Sequence, residues 1–250
     1  MICVLLNFLC SYYILAGQAS EHLESFRDHE QELLGWLFDR HADSAVGTLC
    51  GCPNPAATKT TRCYDCGYGP TCSECFIKAH QSSPTHWAEV WDADKGFFIR
   101  HDISALRSGY CISLGHSGLP CPSSLAEDPG VFFHIVDTNG VHCTRIRFCC
   151  CSGDGSNRAE QLMKARLFPA TMRRPTMAFT WHVCHLFHIL HLESKISTHD
   201  FIGSLRRLTD NTFAQDVPVS FLLCIVCRHA HDCRIHLLSS GLSCESGASS

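Results

Sequence analysis

Between positions 50 and 86 the chain sets cysteines and histidines in four close pairs: Cys50-x-Cys52, Cys63-x-x-Cys66, Cys72-x-x-Cys75, then His80 and His86. The same stretch is rich in Gly, Pro and Thr and has no long hydrophobic period, so burial alone cannot hold it together and it needs a staple. Two thiolates a few residues apart grip one tetrahedral ion from a single turn, and a second pair completes the four ligands. Eight ligands suffice for two closed shells with no position left for water, which is a structural arrangement and not a catalytic one. Disulfides are the competing use of many cysteines. The chain, however, carries 17 histidines beside its 19 cysteines. Imidazole is the commonest metal ligand and plays no part in disulfides, and an odd cysteine count fits a closed disulfide framework poorly. Two Zn2+ ions are therefore expected here, with unpaired structural cysteines as the plain alternative.

A third set is more dispersed. His116 and Cys121 lie on one segment, and Cys149 and Cys151 flank Cys150 at the end of an expected strand. Their ligand types suit a third zinc, which would draw the strand end back onto the loop; a packed cysteine and a surface histidine are the alternative. The tail holds Cys224-x-x-Cys227, His229, His231, Cys233 and His236 beside an apolar run, and reads as an incidental cluster without a scaffold. His182, His185, His188 and His191 recur every three residues, but Phe179, Val183, Leu186 and Leu190 accompany them, the pattern of ordinary helix packing. No G-x-S-x-G elbow, phosphate-binding glycine loop or H-E-x-x-H helix is present. Asp137, Asp154 and Asp210 stand singly in turn-like or terminal positions, as turn and capping residues do.

With 250 residues, 45% of them apolar and 18% charged, the chain can bury a core in one or two domains. Its formal charge of −4 gives no global drive toward nucleic acid. The one local run of basic character is Arg145, Arg147, Lys164, Arg166, Arg173 and Arg174, to be read as phosphate contacts or as a solvated face. Residues 1–17 are uncharged and mostly apolar, without the basic start of a signal peptide and at the lower limit for a membrane span. A helix is expected over 20–41 with Leu23, Phe26, Leu33, Leu34 and Leu37 as its stripe and Ser20 as cap. Short β-branched and aromatic runs follow at Phe97–Ile99, Val131–Val136 and Thr144–Phe148, the last two separated by an Asn139-Gly140 turn signal. Helices are expected again at Asn157–Arg166, Pro175–Glu193 and Ser197–Asp210, the last opened by Ser197-x-x-Asp200. No pattern is assigned beyond Pro218. The expected class is α+β: a small two-zinc module, a β-rich middle and a helical C-terminal part.

The order of the four pairs resembles a B-box-like cross-brace, in which alternating pairs share an ion. That resemblance implies Cys50, Cys52, Cys72 and Cys75 on one zinc, and Cys63, Cys66, His80 and His86 on the other. A wider resemblance covers roughly residues 21–213. RCYDCGYGPTCSECFIKAHQSSPTHWAEVW (Arg62–Trp91), SLGHSGLPCP (Ser113–Pro122), HIVDTNGVH (His134–His142), FCCC (Phe148–Cys151), QLMKARLFPAT (Gln161–Thr171) and RLTDNT (Arg207–Thr212) together resemble the cysteine-cluster region that precedes the catalytic domain of fungal KDZ (Kyakuja-Dileera-Zisupton) transposases. The resemblance implies zinc chelation by Cys63, Cys66, Cys72, Cys75, His80 and His86, and by His116, Cys121, Cys149 and Cys151. It also implies a catalytic RNase H-like part that this chain is expected to lack, so no enzyme activity is expected. The organisation read from it is an apolar segment (1–19), an amphipathic helix (20–45), a two-zinc module (46–92), the remainder of the cysteine-cluster region (93–213) and a tail (214–250). The function implied is accessory recognition of DNA, of a transposase or of another protein, in the nucleus or elsewhere in the cell. A B-box-like protein-interaction module is the alternative, and secretion is the alternative location if residues 1–17 act as a signal. No small-molecule substrate and no membrane partner are expected.

Overall fold

A computed structural model of the chain describes residues 24, 26–41, 43–124, 128–151 and 157–219. The apolar segment 1–17, Ser20, Leu23, Asp154 and the cysteine–histidine tail lie outside the described residues. Among the described residues no helix is long and apolar enough to cross a membrane.

The chain has both helices and sheets, as an α+β protein. Helix α1 (Glu30–His41) opens with Glu30 and Glu32 and carries Arg40 in its last turn, charges that complement the helix dipole at each end. Leu33, Leu34 and Leu37 of the expected stripe are half-buried, while Trp36 and Phe38 stand exposed. Beyond it, β1 (Thr61–Cys63), α2 (Ser73–Ala79), β2 (Ala88–Asp92) and β3 (Phe97–His101) form the first lobe, with an antiparallel sheet in the order β1-β2-β3. Its apolar core is small: Cys63, Phe76, Ile77, Ala88, Ile103 and Tyr110. Within the sheet Arg62 is buried against Glu89, with Nε to Oε2 at 2.7 Å and the guanidinium 3.7 Å from the Phe98 ring centroid. The same guanidinium donates to the Arg40 carbonyl and so ties the end of α1 to β1.

The second lobe contains β4 (Ile112–Ser113), β5 (Val131–Asp137), β6 (Gly140–Arg147), α3 (Arg158–Lys164), β7 (Leu167–Pro169), β8 (Met177–Thr180), α4 (Trp181–Ser194) and α5 (Thr198–Thr209). Its mixed sheet runs β4-β6-β5-β8-β7, antiparallel at β5–β6 and β7–β8 and parallel at β4–β6 and β5–β8. Alternation along β5 sends Phe133 and Ile135 to one face, where they join Ile146, Ala178 and Leu162 of α3. Val136 packs on the other face with Val141, Met177 and Phe179 against α4 and α5 through Val183, Phe187, Phe201, Ile202 and Leu205.

Three local expectations are corrected. Pro175–Glu193 is not one helix: Met177–Thr180 is a fully buried strand between β5 and β7, and Thr180 then caps α4 by accepting from Val183 N. Four consecutive apolar or β-branched residues satisfy a central strand as well as a helix, and the free strand position beside β5 decides between them. On α4 the buried positions are Val183, Cys184 and Phe187, and Leu186 is exposed. That helix is apolar on every side, so periodicity could not select its inner face. The hairpin turn is Thr138-Asn139, one residue before the expected pair, with Gly140 already on β6 opposite Asp137. Other starts agree with the sequence reading: Asn157 accepts from Ala159 N and Glu160 N at α3, and Ser197 accepts from Asp200 N at α5.

Gly140 has φ +136, and a Cβ there would lie 2.7 Å from Thr209 Oγ1 and 3.3 Å from Trp87. Thr209 Oγ1 is itself held by Val141 N and the Leu205 carbonyl. Gly140→Ala is therefore expected to destabilise the protein by about 1–3 kcal/mol. Gly203→Ala, in the middle of α5 with nothing within 4 Å of the added methyl, is expected to stabilise it by up to about 1 kcal/mol. Urea unfolding of the two variants, read against the parent, checks both signs.

Candidate metal centres

Three groups of four side chains bring their ligand atoms together, all within 4.8 Å of one another in each group: Cys50, Cys52, Cys72 and Cys75; Cys63, Cys66, His80 and His86; His116, Cys121, Cys149 and Cys151. In the first lobe the pairs alternate, the first with the third and the second with the fourth, so the two groups brace one another through the same short segment. No disulfide joins the described cysteines.

The first group is built on the start of α2. Cys72 is its N-cap residue and Cys75 sits in its first turn, while the loop carrying Cys50 and Cys52 is held by the Leu49–Thr58 bridge. Cys72 N donates to Cys50 Sγ at 3.3 Å, and Cys52 Sγ lies 3.8 Å from Cys72 Sγ. The second group spans the end of β1, the end of α2 and the loop before β2. Cys63 Sγ is 3.5 Å from His86 Nδ1, and Cys66 Sγ is 3.4 Å from His80 Nε2. His80 is buried and stacks on Phe76 at 4.1 Å, and its Nδ1 donates to the Phe76 carbonyl at 2.9 Å. That bond fixes the tautomer and leaves Nε2 as the free lone pair, the support that metal-bound histidines use.

In the third group His116 Nε2 lies 3.2 Å from Cys149 Sγ and 3.3 Å from Cys151 Sγ, and Cys121 Sγ lies 3.8 and 3.5 Å from the same two sulfurs. Gly115, at φ +80, lets the backbone pass close enough that an added Cβ would be 3.2 Å from Cys149 Cβ. Gln161 of α3 clamps the Cys149 backbone from both sides, its Oε1 accepting from the amide at 2.8 Å and its Nε2 donating to the carbonyl at 3.0 Å. Neither Gln161 nor Phe76 was singled out by spacing. The only sequence signal for such supports is a polar or carbonyl-bearing residue one turn from a ligand segment, which is too common to select.

A tetrahedral ion with bonds of about 2.3 Å to sulfur and about 2.0–2.1 Å to nitrogen sets sulfur–sulfur edges near 3.8 Å and sulfur–nitrogen edges near 3.5 Å. The observed separations fall around these edges and far from the ~2.05 Å of a disulfide. The thiols also disturb one another. Burial pushes the Cys63 thiol up to about 12, and Cys75 is pushed to about 12 chiefly by its contact with the Cys72 sulfur. Cys50 is lowered by the Cys72 amide, and Cys121 is lowered to about 6, first by the Cys150 amide.

The third group and the whole five-stranded sheet share one stretch of chain. Residues 106–213 match the CxC2 like cysteine cluster associated with KDZ transposases. No curated protein and no solved structure matches the chain. The CxC2-like region is a cysteine cluster and not a catalytic domain; the first two groups precede it in the chain.

The six basic residues of interest all fall within the CxC2-like region, and they divide. Arg145 donates to the Pro129 and Gly130 carbonyls, Arg147 to the Asp128 carbonyl, and Lys164 pairs with Glu160 at 2.6 Å. Arg166, Arg173 and Arg174 are exposed, Arg166 and Arg174 with positive φ. The helical histidines His182, His185, His188 and His191 do not enter any of the three groups.

Because Cys63 and Cys75 keep their protons until about pH 12 without an ion, each of the first two groups must release at least one proton on binding metal. Protons compete with metal for these sulfurs, so affinity falls as pH falls. Chelator competition is expected to show a loss of about tenfold or more per site between pH 7.5 and 6.5.

Proposed function

We propose that the chain is a zinc-stapled, non-catalytic recognition module of a KDZ transposase-like protein, serving contact with DNA or with a protein partner. The observation that carries the reading is closure: each group gathers four ligand atoms within 4.8 Å of one another, enough to fill the four positions of a structural zinc and leave none for a substrate. Cys50, Cys52, Cys72 and Cys75 would hold one Zn2+, Cys63, Cys66, His80 and His86 a second, and His116, Cys121, Cys149 and Cys151 a third. The free thiols fit a reducing compartment, in the nucleus or elsewhere in the cell.

Protein expressed with zinc is expected to carry three ions per chain by native mass spectrometry. A strong chelator is then expected to unfold the first lobe, since each structural zinc supplies roughly 10 kcal/mol or more of apparent binding energy in small domains. A protein that stays folded and binds no metal would remove this reading.

A second reading, a B-box-like protein-interaction module without a nucleic-acid role, has its own support. Arg145, Arg147 and Lys164 are engaged within the chain, whereas Trp181, Leu186, Ile189 and Leu192 are exposed along α4. Exposed apolar side chains on one helix suit a protein surface better than a phosphate backbone. Gel shifts with DNA separate the two. If Arg173 and Arg174 contact phosphates, changing both to Ala weakens binding and flattens its salt dependence by about two. Absence of any DNA affinity in the metal-loaded protein leaves the protein-interaction reading.

A further inference from the structure

The tip of the β5–β6 hairpin is plugged into the second metal group. Asn139, at the tip, donates through Nδ2 to Asp65 Oδ1 at 2.9 Å and to the Thr85 carbonyl at 2.8 Å. Asp65 lies inside the Cys63-x-x-Cys66 knuckle, and Thr85 immediately precedes His86. The two acceptors fix the amide, so Asn139 Oδ1 faces His142 Nε2 and accepts from it at 2.9 Å. The Asn139 carbonyl in turn accepts from Trp87 Nε1 at 3.0 Å, and Asp65 Oδ2 accepts from Trp87 N at 2.6 Å. Two residues before Asn139, Asp137 accepts through Oδ2 from Thr85 Oγ1 at 2.7 Å, while its other oxygen accepts from Thr180 of β8. The knuckle and the loop that carry the ligands are thus spanned by one residue of the CxC2-like region, 74 residues from Asp65 in sequence.

We infer that Asn139 is a positioning residue for the second metal group, and that metal binding there and docking of the CxC2-like region onto the first lobe form one linked equilibrium. The inference rests on the metal reading above. Its physical basis is that a coordinating segment is held by the partners just outside the ligands, and removing such a partner typically lowers metal affinity by about 10–100-fold. Coupling between the two events is reciprocal: whatever metal gains from the hairpin, the hairpin gains from metal. The bonds concerned are within or between backbone and short side chains, so they hold the ligand segments at fixed separation instead of merely covering them.

Cobalt(II) is the probe, because its ligand-field bands distinguish the two-sulfur, two-nitrogen group from the four-sulfur and three-sulfur groups. In Asn139→Ala the affinity of the two-sulfur, two-nitrogen group is expected to fall about 10–100-fold, with the other two unchanged. The reverse experiment uses His86→Ala and hydrogen exchange, and stands even if the first variant folds poorly: amides of 137–142 are expected to exchange at least about tenfold faster, while those at Cys149–Cys151 keep their protection. Equal cobalt affinities in Asn139→Ala and the parent, or unchanged protection of the hairpin in His86→Ala, overturn the linkage while the metal reading stands. A parent protein showing no two-sulfur, two-nitrogen spectrum overturns both.

Discussion

Sulfur atoms 3.5–3.8 Å apart, brought from segments some 20–30 residues distant, are the constraint on which the architecture depends. Two thiolates about 4 Å apart repel by roughly 4 kcal/mol at an effective dielectric of 20, so several cannot share such a space as anions without a cation between them. The thiols here are held protonated, Cys63 chiefly by burial and Cys75 chiefly by its contact with the Cys72 sulfur, both pushed to about 12. A divalent ion bound there would reverse the sign of the whole arrangement and turn mutual repulsion into attraction. The first lobe has little else, since its apolar core consists of a few residues under one short helix and three strands.

The second lobe is stabilised differently. It has a sheet covered on both faces, with aromatic and branched side chains filling each side. Its ligand group does not hold the core but anchors an irregular loop to the end of β6, where Gln161 fixes the backbone of Cys149. The two lobes therefore meet as a part built around cysteine–histidine groups and a part built around apolar burial. Between them runs a polar seam of Asp65, Thr85, Trp87, Asn139 and Asp137, reinforced where Arg100 stacks on Trp87 and donates to the Thr209 carbonyl. A polar seam of this kind is directional, so it sets one relative placement of the lobes where apolar packing would tolerate several.

What was legible in the sequence followed from chemistry that acts over short distances. Close cysteine pairs announce ligands because one turn suffices to aim two sulfurs, and Asn157 and Ser197 announce helix starts because their caps reach only two or three residues. Met177–Thr180 was illegible because a buried strand and a buried helix turn present the same apolar letters. The face of α4 was illegible for a related reason: with apolar residues all round, periodicity carries no information. Asn139 looked like a turn residue and nothing more, since its partners lie 54 and 74 positions away.

The sequence by itself determined which residues have the chemistry to hold an ion, through residue type and local spacing, and the resemblance of the pairs to a cross-brace suggested how they combine. Only the tertiary structure decided that these atoms meet at tetrahedral separations, that α4 is preceded by a strand, and that a hairpin from the CxC2-like region seats on the knuckle of the second group. Local spacing fixes what a segment can bind. Which segments meet is decided by the closing of two sheets, a long-range event that no short window of sequence contains.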